Sequence, residues 1–290
     1  MTPKKALPAE AHMIISALSF ALMSAAVKSA ADIAFIQKVF FRNFVMLILI
    51  LPPLISAAGF LGGAAVFLGR RENRPALLRR SLFGLAGVML YFYSIGGLTL
   101  SDSAMLNKLS AFFVIILSAV FLGERIRGFQ IPALLAAFGG ALLIIKPGFS
   151  LQPLPAAAGT AASVLAAAAY TTIASLRGRE NPLTIIFWFS AVSTVATGAV
   201  LPFFWRTPSL GEAAALVLTG VFAAGGQYFL TKAYSGGRAG EVSIYNYTNV
   251  VFALLVGLIL WAELPDILSA AGTLLIIGAA AGLYLRRRTE

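Results

Sequence analysis

The chain has no cysteine and a single histidine, His12. The first absence excludes disulfides, thiolate metal sites and cysteine nucleophiles, and the second leaves no multi-histidine metal centre. His12 stands at the entrance to an apolar run, where an interfacial histidine is a plainer reading than a catalytic one. Charge is scarce too. It makes up 11% of residues, against about a quarter in soluble domains, while 59% are hydrophobic. A globular chain of 290 residues has too little interior to bury that much apolar surface, and a bilayer supplies the missing apolar solvent. No H-E-x-x-H, G-x-S-x-G or phosphate-binding Gly-Lys loop occurs, so no catalytic constellation is present and no cofactor is implied. A net charge of +11 would suggest nucleic acid in a soluble protein. Here Lys and Arg sit in short clusters between apolar runs, as they do in the cytoplasmic loops of membrane proteins, so no nucleic-acid partner is expected.

What is present is length in the apolar runs. Ten of them, near 9–28, 35–57, 78–97, 102–122, 129–146, 154–176, 182–204, 211–233, 240–261 and 266–285, approach the ~20 residues that a hydrocarbon core requires. The fold class expected is an all-α membrane protein of ten transmembrane helices. Lys4 and Lys5 followed by an apolar stretch also fit the start of a signal peptide, but the stretch from Ala11 to Val27 exceeds a usual signal core and reads as a retained first span. With the N-terminus inside, Arg70, Arg71, Arg74, Arg79, Arg80, Arg125, Arg127, Arg177, Arg179, Arg238 and Arg286 to Arg288 fall on the inner side. Only Lys28, Lys38, Lys146 and Arg206 fall outside. That bias places both termini in the cytoplasm of a bacterial-type inner membrane.

A shift of 139 residues carries Gly87 onto Gly226, Gly97 onto Gly236, Asn107 onto Asn246, Phe113 onto Phe252, Glu124 onto Glu263 and Gly139 onto Gly278. Matched Asn and Glu are hard to obtain by chance where polar residues are so few. The halves 1–150 and 151–290 would each hold five spans, and an odd number makes the second half enter the membrane from the other side. A 5+5 inverted repeat of this kind is a common build for secondary transporters, with the solute bound near the midplane.

Phe121-Leu122-Gly123-Glu124-Arg125, a Gly-rich span ending at Lys146-Pro147-Gly148, and the partner run Leu260-Trp261-Ala262-Glu263 carry a resemblance. Together with ten spans and the repeat, they resemble the drug/metabolite transporter superfamily in its EamA-type ten-helix form. The resemblance implies a helical bundle with a central cavity and alternating access. Its members include amino-acid exporters of the YddG type and importers of riboflavin or S-adenosylmethionine. The family often carries a proline in spans 4 and 9, where Ala111 and Val250 stand here, so no proline-kinked gate is expected in these two helices.

Ionisable groups inside hydrocarbon are functional candidates by default. Arg42, Lys108 and Lys232 qualify. Arg42 either snorkels to the outer headgroups or contacts the solute; Lys232, near a span end, suits snorkelling. Lys108 is the foremost candidate for solute binding, with pairing to Asp102 as its structural alternative. Asn107, Asn246 and Asn249 either line the cavity or join helices by hydrogen bonds. Tyr245, Gln227, Tyr91, Tyr170 and Trp188 are further candidates for binding, Trp188 and the tyrosines by stacking or else as packing and interfacial residues. Asp102 and Glu241 begin spans 4 and 9, where acids complement the helix dipole. Glu124 and Glu263 end the same spans, and for Glu124 the compensating cation expected is Arg125 or Arg127. These four acids read as structural pins or gate latches.

No Asp or Glu falls at mid-span. Buried cations without buried anions suit a small anionic or zwitterionic solute bearing a carboxylate, and no metal is expected. A carrier is favoured, with export of an amino acid or related acid ahead of uptake of a vitamin or nucleoside-like solute. An intramembrane enzyme or a channel is the alternative of another class.

Overall fold

The computed structural model describes residues 7–30, 32–61, 63, 65–98, 100–148, 152–262 and 264–289, and among them there is no strand. The helices are α1 Ala9–Ser29, α2 Phe35–Leu61, α3 Ala65–Leu68, α4 Arg74–Gly97, α5 Leu100–Lys108, α6 Ser110–Leu122, α7 Gln130–Ile145, α8 Pro153–Ser175, α9 Pro182–Val200, α10 Leu210–Gly236, α11 Ala239–Tyr245, α12 Thr248–Trp261 and α13 Ile267–Thr289. Local chemistry sets several of their starts. Pro153 and Pro182 open α8 and α9, where a missing N–H costs nothing. Ser209 and Glu212 exchange bonds in a capping box at α10.

Taking α5–α6 and α11–α12 as one run each, eight helices among the described residues are long and apolar enough to cross a bilayer. The protein is an all-α, multi-pass membrane protein. Two of the ten expected spans differ from their outline. Helix α7 has 16 residues, and α4 begins at Arg74, ahead of the expected start near 78. Burial is arranged for lipid. Ile259, Val195 and Leu274 lie exposed on the outside, while Ser16, Ser81, Ser163, Thr184, Ser190 and Thr197 are wholly buried. Small polar groups bond inside the bundle because the hydrocarbon offers no partners.

The principal helix pairs are α1 with α10, α4 with α8, α7 with α13, and α2 with both α9 and α10. Ser16 Oγ on α1 donates to Gly226 O on α10 at 2.8 Å. In the crossing of α7 over α13, a Cβ at Gly140 would stand 2.6 Å from Gly272 O, so glycine is what permits the approach.

The arginine-bearing loops meet at one end of the bundle. Arg177 and Arg238 reach the segment around Gly237 and Arg125, and Asn73 donates to Arg179 O. The opposite end gathers Asp32, Gln37 and Arg206, and separately Lys146 with Asp266.

Candidate functional site

The helical runs α5–α6 and α11–α12 are each interrupted in mid-course, at Leu109 and at Asn246-Tyr247. Both interruptions tighten to i→i−3 bonding: Leu109 N donates to Leu106 O, and Tyr247 N donates to Ile244 O. Such 3₁₀ segments inside a membrane run free carbonyls for other partners. Tyr247 Oη takes up one of them, donating to Lys108 O at 2.9 Å. Lys108 Nζ in turn donates to Asn249 Oδ1 at 2.8 Å, and Asn249 Nδ2 donates to Ala17 O at 3.0 Å. No proline is involved. Paired polar residues, Asn107-Lys108 and Asn246-Tyr247, stand at the interruptions instead.

The interruptions open onto a central cavity of about 400 Å³. Its wall includes Arg42, Arg80, Tyr91, Asn107, Lys108, Tyr170, Gln227, Asn246 and Asn249, with Phe20 and Phe189 among the apolar groups. No Asp or Glu occurs among the described residues that line it. Arg80 Nη2 donates to Gln227 Oε1 at 2.9 Å, and its guanidinium lies 3.9 Å from the centroid of the Phe189 ring. Arg42 approaches the same ring at 5.7 Å and donates to Asn43 Oδ1 at 3.3 Å. Tyr170 stacks on Tyr234 at 5.1 Å between centroids.

Of the residues singled out for binding, eight come together here: Lys108, Asn107, Asn246, Asn249, Gln227, Arg42, Tyr91 and Tyr170. Arg42 does not snorkel, being only 8% exposed. Tyr245 and Trp188 are elsewhere. The 3₁₀ turn after Tyr245 advances the chain about 120° per residue, which rotates this side chain off the face that carries Asn246 and Asn249. It is buried in the core instead. Trp188 Nε1 donates to Phe67 O at 3.1 Å, and the ring lines an apolar outer groove with Phe67 and Phe187. Arg80 falls within the expected span 78–97 but was counted only among the inner-side arginines and not among the candidates for binding. The sequence signal was Pro75, an ordinary first-turn residue, which starts the helix early enough to put Arg80 in its second turn.

A second cluster closes the arginine-rich end. Glu124 follows Gly123, whose left-handed φ of 65° ends α6. Its carboxylate accepts from Ala239 N at 3.0 Å and Gly240 N at 3.2 Å, at the start of α11. The cation beside it is Arg177 at 3.7 Å, on the far half of the chain, and not the sequence neighbours Arg125 or Arg127. Glu241, in the first turn of α11, takes Arg127 at 3.5 Å, Arg238 at 3.6 Å and Gln130 Nε2 at 3.4 Å. The Asp102 side chain and all of Glu263 lie outside the described residues.

Comparison with known proteins gives four findings. The EamA-like transporter family matches residues 7–146 and again 155–285. The pseudopaline exporter CntI of Pseudomonas aeruginosa is 35% identical over 276 residues, covering 93% of each chain. Human solute carrier family 35 member G1 is 24% identical over 95% of this chain and 78% of its own. A solved crystal structure shares the fold at a TM-score of 0.82, over 97% of this chain and 98% of that one, with 18% identity.

Proposed function

This chain belongs to the EamA-like transporter family, and from that premise we propose that it is a secondary carrier exporting a small carboxylate-bearing metabolite, an amino acid or related acid. Transport crosses a bacterial-type inner membrane by alternating access, with the arginine-rich end and both termini in the cytoplasm. One observation carries the substrate class: Arg42, Arg80 and Lys108 face one cavity whose described lining holds no acid. Buried cations need counter-charge, and in a carrier the solute supplies it. The outward direction rests on similarity to a protein named as an exporter.

Several features support two five-helix repeats, residues 1–150 and 151–290. The family matches twice, once in each half. Shifting by 139 residues exchanges the pair α1·α10 with α4·α8, and α2·α10 with α4·α9, while α7·α13 and α2·α9 map onto themselves. Lys108 and Tyr247, equivalent under the same shift, bond to each other, as residues beside a two-fold axis would. In this arrangement Asn107, Lys108, Asn246, Asn249, Gln227, Arg42, Tyr91 and Tyr170 contact the solute, and Glu124 and Glu241 act as a latch.

The test is flux in reconstituted vesicles. Saturable, counterflow-stimulated movement of labelled glutamate identifies a carrier, unsaturated movement a channel. Lys108→Ala lowers carboxylate flux at least about tenfold, the scale of one lost charge-assisted bond. Normal flux in that variant ends the assignment of Lys108.

A further inference from the structure

Three positive charges share the cavity, but they do not share a place in it. Arg42 and Arg80, from α2 and α4, both lie against Phe189 of α9, at 5.7 Å and 3.9 Å from its centroid. Lys108, from α5, is held by Asn249 of α12, which is itself tied to Ala17 of α1. One cationic pole is therefore built on α2, α4, α9 and α10, the other on α1, α5 and α12.

Arg80 is unusual within the first pole. It is 1% exposed, and Gln227 satisfies only its Nη2. Its Nε and Nη1 are buried without a hydrogen-bond partner. Buried donors are nearly always paired, and orphan guanidinium nitrogens on a cavity wall mark where an acceptor from outside the protein belongs. Phe189 stacks the guanidinium and Gln227 holds one edge, so the fork is kept in a fixed plane. A planar, fixed fork matches a carboxylate, whose two oxygens accept in parallel from the second Nη2 hydrogen and the unmet Nε or Nη1 hydrogen beside it.

Resting on the reading of this cavity as a carboxylate carrier's site, we infer that its solute carries at least two carboxylates, one seated on the Arg80–Arg42 pole and the other on Lys108. A simple amino acid meets these requirements poorly. Its one carboxylate engages a single pole, and its ammonium finds no acid among the described lining residues. A solute of net negative charge, small enough for about 400 Å³, answers both poles at once. Arg80 is the residue that sets this preference, because its unmet donors have no use until the second carboxylate arrives.

The experiment compares two isosteric pairs on the purified full chain, by calorimetry in low-chloride buffer: glutarate against its monoamide, and glutamate against glutamine. Each pair differs by one carboxylate at constant shape. The diacid of each pair should bind at least about tenfold tighter than the amide, as a charge-assisted, bidentate contact requires. Arg80→Gln should bring each pair to within about twofold while leaving the amides within about threefold of their original affinity. Arg80→Lys, keeping charge without the fork, should recover only part of the gap. Lys108→Gln, on the other pole, should close the gap as well, so the test survives if an Arg80 variant fails to fold. Equal affinity within both pairs overturns the inference, as does an Arg80→Gln chain that loses acid and amide by the same factor. Vesicle flux separates this from the carrier reading. Saturable flux of monoacids and diacids alike refutes only the two-carboxylate requirement. Tight glutarate binding without any flux refutes only the carrier.

Discussion

At the arginine-rich end, Glu124 crosses from the close of α6 to the start of α11, and Glu241 gathers Arg127, Arg238 and Gln130 with its side chain 3% exposed. At the opposite end, the Lys146–Asp266 pair lies in the open. Lys146 and Asp266 join α7 to the start of α13 at 2.5 Å with their side chains 43% and 53% exposed, and Arg206 pairs with Glu212 at 3.6 Å. Exposed pairs are screened and contribute little, whereas a carboxylate holding buried backbone N–H groups is costly to lose. The contrast teaches which end is pinned in this conformation. The arginine-rich end is held by the Glu124 contacts between α6 and α11, and the opposite end is left freer to give way first.

The largest test of that contrast is Glu124→Ala. It removes two backbone acceptors and the partner of Arg177, and weakens closure of the arginine-rich end by about 2 kcal/mol, roughly thirtyfold. The chain has no native cysteine, so Ser118→Cys, beside Gly240 and 1% exposed, reports opening cleanly through maleimide labelling. Labelling should accelerate by about that factor in Glu124→Ala; an unchanged rate breaks the comparison.

Next come two helix ends, those of α6 and α12. Gly123 takes a left-handed φ of 65°, and Ala262, its equivalent under the 139-residue shift, takes 54°. A side chain pays about 1 kcal/mol for that conformation. Ala262→Gly should raise the thermal midpoint by a few degrees and Gly123→Ala should lower it by a similar amount. Shifts of the same sign in both would show that the two ends do not obey one backbone rule.

The smallest effect is at Lys146–Asp266. The Asp266 carboxyl is held down to about 2, chiefly by the Lys146 ammonium and then by the Ser269 N–H. A depressed carboxyl contributes above its ordinary value of 3.8 and loses that contribution as pH falls toward 2. Between pH 5 and 8 that contribution does not vary with pH, and because the pair is exposed and Asn keeps an acceptor for the Ser269 N–H, Asp266→Asn should lower the thermal midpoint there by no more than about one or two degrees. A marked loss would mean that this end is pinned as firmly as the other.

Much of the site could be read from the chain because its parts are rare. Asn107, Lys108, Asn246 and Gln227 stand out among apolar neighbours, and a polar residue in a membrane run faces the interior or costs several kcal/mol. Tyr245 and Trp188 misled because aromatic rings are equally at home in the core, at the rim and in a cavity. Only the local 3₁₀ turn and the Phe67 carbonyl decide between these places. Arg80 was hidden for the opposite reason. Beside Arg79 it looks like one more inner-side cation, and its burial depends on where α4 begins and on Phe189 and Gln227 arriving from α9 and α10.

Apolar length, scarcity of charge and the clustering of arginine determined by themselves that this chain is a helical membrane protein, since the bilayer demands those quantities of any chain that crosses it. They also determined which few polar residues had to be accounted for. Tertiary structure alone decided that Glu124 pairs with Arg177 instead of its neighbours, that Lys108 and Tyr247 meet, and that Arg80 turns inward with donors to spare. Each is a contact between residues far apart in the chain, made by helices whose crossing is set by packing, and the spacing of residues along one helix contains no information about which face another helix will cover.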